Sequence, residues 1–343
     1  MKSLKEKMTD VPPPLVIPFF ISHQGCPFRC IFCDQESINS HSGMVSPGEI
    51  SATIEEWLAG RGAGRGRVEA AFFGGSFTAI PRETQAELLG AVLPFIAAGR
   101  VDSIRISTRP DFLDPDTLVF LKDHGVGTVE VGVQSLSDRV LAASGRGHDA
   151  ACALEAVGRL KEYGFVSGVQ LMLGLPGEST CSTLAGARKI AALKPDMARI
   201  YPVLVLSGTG LARMWQAGRY HPLGLARAVI LAGRVRVILE NEGVRVVRCG
   251  LQAAPGLEEM VIAGPWHPAF GEMVQGASIL LRARDLLGNR PGRRRMLISR
   301  RDRSALSGHG GHCQAMLVRC LSREGVDLVF SDQVARGRPE LVD

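Results

Sequence analysis

The chain has 343 residues, 45% of them hydrophobic and 22% charged, with a formal net charge of +6. That apolar content excludes a mostly disordered chain, and the length allows one large α/β domain with an appendage, or two domains. No apolar run approaches a membrane span and Met1–Asp10 is polar, so a cytoplasmic protein is expected; the positive charge permits a polyanionic partner without requiring one.

Leu15–Ile21 is a continuous apolar run and reads as a buried strand. It delivers a Gly-led loop carrying Cys26, Cys30 and Cys33 in C-x3-C-x2-C spacing. Structural zinc sites want four protein ligands and usually come as paired C-x2-C units, and no second pair follows. Three soft ligands fit better a four-iron cluster whose fourth iron is left open. On the triplet alone, a zinc loop, a redox pair and plain buried thiols stay open as alternatives. Phe32, directly before the last cysteine, would lay an aromatic ring over the cluster side of the loop.

Next comes a helix start at Ser46-Pro47-Gly48-Glu49, with Ser46 as cap and Pro47 in the first turn. After a loop at Gly60–Gly66, Val68–Phe73 is a buried strand ending in Gly74-Gly75-Ser76, where glycines let a ligand come close to backbone. The alternation continues with a helix over Arg82–Ala98 and a strand over Ser103–Ser107 that leads into Thr108-Arg109-Pro110-Asp111. Pro115–His124 is helical, and Thr128–Val133 a strand ending in Gln134. Ala150–Tyr163, Phe165–Leu173, Leu184–Leu193 and Ala198–Val205 read as helix, strand, helix and strand. Six alternations argue a parallel sheet with crossover helices, and the polar punctuation after each strand marks the ligand-binding face of such barrels. A closed eight-fold barrel needs two more units than precede the change of pattern near Leu206. The expected fold is therefore α/β, a partial (β/α)6 TIM-like barrel. It spans residues 15–205, with a tail over 1–14, a smaller α+β extension over 206–280 and an Arg-rich segment over 281–343.

The cysteine spacing, with Phe32 before the third cysteine, resembles the radical S-adenosylmethionine (radical SAM) superfamily. The resemblance implies a [4Fe-4S] cluster on Cys26, Cys30 and Cys33. S-adenosyl-L-methionine (SAM) would chelate the fourth iron and be cleaved reductively to methionine and a 5′-deoxyadenosyl radical. It also implies that Gly74, Gly75 and Ser76 contact the methionyl amino group. The segment from Val129 to His148 is similar to the Elongator catalytic-subunit branch and to oxygen-independent coproporphyrinogen III oxidase. In those relatives the residues matching Gln134 and Arg146 face SAM, and a guanidinium suits a carboxylate. Ser107 stands where they often carry a ribose-binding glutamate, and Gln170 where the coproporphyrinogen enzyme has an aspartate. Gly174–Glu178 resembles a turn that packs near adenine. Arg109 and Asp111 are read as turn residues.

Past Arg199 the sequence resembles the C-terminal extension of Elongator-type proteins as far as about Gln275, with Trp266 and His267 either over the barrel mouth or packed. The stretch after this resemblance is expected to leave no room for the acetyltransferase domain of full Elongator catalytic subunits. Arg282, Arg284, Arg290, Arg293, Arg294, Arg295, Arg300, Arg301 and Arg303 form a dense run that reads as a phosphate-backbone footprint or a solvated basic edge. His309, His312, Cys313 and Cys320 match no standard zinc spacing, and Cys313 and Cys320 are expected to share one buried helix face. The expected function is a radical SAM enzyme acting on RNA, tRNA foremost, with an external electron donor. A small-molecule oxidoreductase of the coproporphyrinogen-oxidase type and a non-catalytic iron–sulfur RNA-binding protein are the alternatives.

Overall fold

A computed structural model describes residues 14–21, 26–33, 45–60, 66–251, 256–287, 294–308 and 311–342. His23, Arg290, Arg293, His309 and most of the Gly60–Gly66 loop lie outside them.

The first half is the expected strand–helix alternation. β1 (Leu15–Phe20) is followed by α1 (Pro47–Ala59), β2 (Val68–Phe73), α2 (Arg82–Gly90), α3 (Leu93–Ala97), β3 (Ser103–Thr108), α4 (Pro115–Asp123) and β4 (Val126–Gln134). Then come α5 (Asp138–Ala143), α6 (Ala150–Glu162), β5 (Val166–Leu173), α7 (Thr180–Leu193) and β6 (Met197–Pro202). Ser46 caps α1 in a full capping box, its hydroxyl accepting from Glu49 N and the Glu49 carboxylate accepting from Ser46 N. The helix expected over Arg82–Ala98 divides into two, because Pro94 lies in the first turn of α3 and has no amide proton with which to continue α2.

The second half contains β7 (Val205–Leu206), α8 (Gly210–Gln216), α9 (Leu225–Asn241), β8 (Arg245–Cys249), α10 (Leu257–Met260), β9 (Val261–Ala263) and α11 (Phe270–Leu287). It ends in β10 (Arg294–Ser299), α12 (Arg303–Ser307), α13 (His312–Arg323), β11 (Val326–Ser331) and β12 (Glu340–Val342). The main sheet is a curled, all-parallel half-barrel in the order β1-β2-β3-β4-β5-β6-β8. The six expected strands are thus followed by a seventh. β8 reaches it through α9, where a helical stretch over Gly224–Glu242 and a strand-like Val244–Arg248 are readable in the sequence but not their place in the main sheet. β7 and β9 pair separately, and β11-β10-β12 form a small sheet backed by α11, α12 and α13 around Ile279, Met296, Ile298, Leu306 and Leu317. Among the described residues, no helix is long and apolar enough to cross a membrane.

Strand alternation splits the main sheet into two environments. The outward positions, such as Phe72, Ile104, Ile106, Val129, Val131 and Ile200, fill the core under the helices. The inward face carries a charged layer. Arg105 bridges Glu69 and Glu130, and Glu130 also pairs with Arg199 at 2.6 Å. Thr128 donates to Glu69. All except Arg199 are buried, so this ionic layer fills the barrel below its mouth.

Two members of the Arg-rich run depart from the expected phosphate footprint. Arg282 and Arg294 are buried: Arg282 pairs with Glu240 at 2.9 Å and donates to the Gly337 carbonyl, and Arg294 donates to the Leu287 carbonyl. A helix interface offering a carboxylate and free carbonyls satisfies the guanidinium fork better than solvent alone. Arg284, Arg295, Arg300, Arg301 and Arg303 are exposed.

Candidate active site at the cysteine loop

The cysteine loop is seated by its own backbone. Ile31 N donates to the Ser144 carbonyl at 3.2 Å, and the Ile31 carbonyl accepts from Leu211 N at 2.7 Å. Gly210 lies flat against Ile31, where a side chain would crowd it. The loop is therefore held between the turn after α5 and the start of α8. Phe32 packs with Ile31 on a satellite core of Val140, Leu175 and Leu211. Cys33 N donates to the Cys30 carbonyl, the Cys26 thiol donates to the Phe28 carbonyl at 3.2 Å, and Cys30 is 6% exposed.

Arg146 stands over this loop with each nitrogen directed. Nη1 donates to Cys30 Sγ at 3.4 Å, Nη2 to the Gly132 carbonyl at 2.6 Å, and Nε to His148 Nε2 at 3.2 Å. His148 Nδ1 faces the Asp149 carbonyl, which assigns it the Nδ1–H tautomer and leaves Nε2 to accept. Burial, and next the Arg146 charge, hold the His148 pKa below its ordinary value, so the ring stays neutral in that role. Arg109, read from sequence as a turn residue, belongs to the same assembly. It is chelated by Asp111 at 2.8 and 3.0 Å, donates to the Arg146 carbonyl at 2.6 Å and lies 4.5 Å from the centre of the Phe28 ring. The signal that was available is the pairing of an arginine and an aspartate two residues apart at a strand end.

Gln134 ends β4 at a φ of +64°, after a register shift between β4 and β5. This turns its amide inward beside Arg146, and its Oε1 accepts from Gln170 Nε2 at 3.4 Å. Gly132 keeps room for both: a Cβ there would stand 2.9 Å from Gln134 Nε2 and 3.3 Å from Arg146 Nη2. Ser107 is half-buried on the inward face of β3. Gly74, at φ +96°, and Gly75 are half-buried at the end of β2. Ser76 is only 1% exposed, and its hydroxyl accepts from Arg109 N and meets Thr108 Oγ1 at 3.2 Å. It ties β2 to β3, leaving backbone as what this turn offers a ligand. Trp266 packs on Leu204, Leu206 and Leu257. Cys313 and Cys320 pack against the small-sheet core.

Glu178 closes the turn after β5, accepting from Gly174 N at 2.8 Å and Ser135 Oγ at 3.2 Å. Burial pushes its pKa up to about 7 against these hydrogen bonds. Because the folded-state value is raised, its contribution to stability is full below about pH 4.5 and is lost as the pH rises through 7. Glu178→Gln is therefore expected to match wild type near pH 4.5 and to exceed it by about 3 kcal/mol at about pH 8. Urea unfolding at both pH values checks this, and a difference independent of pH would contradict it.

The three thiols form a soft donor set of the kind a [4Fe-4S] cluster takes. Among the described residues, no group of three or more His, Cys, Asp or Glu side chains is arranged to hold a metal ion, so the three thiols do not converge on one point here and the fit to a cluster rests on the chemistry of the donor set.

Comparison with known proteins gives the family and the fold. The profile of the Radical SAM superfamily matches residues 20–184, and that of the radical SAM C-terminal domain matches residues 195–278. A tRNA uridine(34) acetyltransferase of Dehalococcoides mccartyi is 28% identical over 255 residues, covering 65% of this chain and 55% of that protein. An uncharacterized protein of Methanocaldococcus jannaschii is 27% identical over 235 residues, covering 65% of this chain and 69% of that one. The chain thus spans about half the length of the acetyltransferase. Among solved structures, the archaeal Methanocaldococcus infernus Elp3 with an N-terminal deletion superposes with a TM-score of 0.59 at 24% identity, covering 77% of this chain and 62% of that one. At that identity the likeness concerns the fold.

Proposed function

Because the chain belongs to the radical SAM superfamily and is Elongator-like in sequence, we propose that it is an enzyme holding a [4Fe-4S] cluster on Cys26, Cys30 and Cys33 and acting on RNA, with tRNA foremost. The reading rests above all on one observation: Arg146 joins the most buried cysteine of the triplet to the Gln134 end of β4. When bound and reduced by an external donor, such a cluster supplies the electron that cleaves SAM to methionine and a 5′-deoxyadenosyl radical. Arg146 and Gln134 would orient the methionyl carboxylate, the backbone of Gly74 and Gly75 its amino group, and Ser107 and Gln170 the ribose. His148 keeps the Arg146 guanidinium aimed by accepting its Nε proton. The RNA substrate is proposed from the named tRNA-modifying relative; acetyl transfer is named for that protein and is not part of the proposal.

Anaerobic reconstitution, followed by SAM and a strong reductant, tests this by quantifying 5′-deoxyadenosine with and without bulk tRNA. Wild type is expected to form it and to form more with tRNA, whereas Cys30→Ala forms none. Product indifferent to tRNA would move the substrate to a small molecule. No product from fully loaded protein would overturn the enzymatic reading.

A further inference from the structure

A second basic site lies away from the cysteine loop, at the free edge of the half-barrel. β8 pairs with β6 on one side and, among the described residues, with no strand on the other. Beside that edge is a cavity of about 540 Å³, walled by Arg236 of α9, Arg248 of β8, Arg336 of the loop before β12, and Glu272 and Gln275 of α11. The volume falls within the range of small-ligand sites.

The loop that carries Arg336 is tied to a buried scaffold. Asp302, 1% exposed, accepts from Gln275 Nε2 at 3.1 Å and from Gly337 N at 2.5 Å, and pairs with Arg336 at 3.5 Å. Arg282 fixes the same loop through the Gly337 carbonyl, and Arg338 through the Glu240 carbonyl. Positive charge is in excess. Glu240 is shared between Arg236 and Arg282, both at 2.9 Å, and the Arg248 guanidinium has no hydrogen-bond or ion-pair partner among the described residues. Burial first, and then repulsion from Arg338 and Arg236, lower the pKa of Arg282 despite its pairing with Glu240. Three guanidinium groups on one open cavity, with a carboxylate deficit behind them, are suited to an anion that accepts several forked hydrogen bonds, which is the chemistry of a phosphate group.

We propose that this cavity binds a backbone phosphate of the RNA substrate through Arg236, Arg248 and Arg336. The inference rests on the RNA reading above and adds to it where the strand is gripped. An extended polyanion is favoured over a small one because the cavity opens along a sheet edge. Arg336 also lies beyond both profile matches, which end at residue 278. The grip is therefore partly built from a segment outside the family-matched part of this chain.

The test measures binding of labelled bulk tRNA to the full-length protein as a function of salt. Wild type is expected to bind. Arg248→Ala combined with Arg336→Ala should weaken binding about tenfold at about 100 mM salt and lower the slope of log K against log salt by roughly 0.7–0.9 per lost contact. Arg248→Lys combined with Arg336→Lys should bind near the wild-type level, which a merely structural role of the loop would not predict. Arg248→Ala alone touches no partner of the scaffold and serves if the double variant misfolds; it should lower the slope by one contact. Wild-type affinity and slope in the alanine variants would overturn the inference while leaving the RNA reading standing. Failure of wild type to bind tRNA at all would overturn both. If inorganic pyrophosphate then raises the melting temperature in an Arg248-dependent way, the cavity takes a free phosphate and the assignment to RNA backbone falls.

Discussion

Gly147→Ala is expected to reduce iron loading on reconstitution to a small fraction of the wild-type value while leaving the main sheet folded. Gly147 has a φ of +75°, where an L side chain is strained by about 1–2 kcal/mol. A Cβ there would also run into the Phe28 ring. Phe28 is not free to swing aside without consequence. Its ring lies on the Arg109 guanidinium, and its carbonyl accepts the Cys26 thiol. Displacing it moves the segment between the first two cysteines and breaks the stack that ties this segment to the Arg109–Asp111 turn. The apo protein should lose only about 1–2 kcal/mol, since the clash lies on the rim of the barrel. Iron content per chain and the cluster absorption band give the readout. Phe28→Ala in the Gly147→Ala background should restore part of the loading by removing the obstacle. Wild-type loading in the single variant would refute this account of the loop.

Arg105→Met should cost about 3–5 kcal/mol in urea unfolding, the range for breaking a buried ion pair on one side. Arg105 holds Glu69 and Glu130 together inside the barrel, and all three are buried. Methionine fills similar space but leaves Glu69 with Thr128 and the half-exposed Arg67, and leaves Glu130 with Arg199 alone. Glu69→Gln in the Arg105→Met background removes the uncompensated carboxylate, and the remaining Glu130–Arg199 pair is complete. The double variant should therefore be more stable than the Arg105→Met single. Additive losses would show that Arg105 acts through packing rather than charge.

Much of the architecture was readable because apolar strands and their punctuation carry a strong local signal. Val68–Phe73 and Ser103–Thr108 emerge where the apolar runs place them, and Ser46 and Pro47 start α1 as their chemistry requires. What stayed hidden depends on long-range partners. Arg282 reads as one of a basic run, yet Glu240, 42 residues away, and Gly337 hold it in a helix interface. The Glu69–Arg105–Glu130–Arg199 layer was signalled only by single charges in otherwise apolar strands. Alternation assigns these to the inward face, but their pairing needs the sheet order. β8 is faintly apolar and follows a change of pattern, so its register with β6 is a tertiary outcome. At the site, the cysteine spacing was legible from local sequence. The seat of the loop was not, since Ser144, Gly147 and Leu211 are remote in the chain.

The two stretches matched by separate family profiles meet inside the main sheet, between β5 and β6. Strands β2 to β5 belong to the first, while β6 and β8 belong to the second. The second also supplies Leu211 N to the Ile31 carbonyl inside the cysteine loop. The chain is therefore not a catalytic cassette with an exchangeable attachment. A lineage that swapped the later stretch for another would have to rebuild two staves of the barrel and re-seat the cysteine loop in the same event. The β11-β10-β12 sheet, by contrast, shares no strand pairing with the barrel and has its own core, so changes there leave the barrel strands in place.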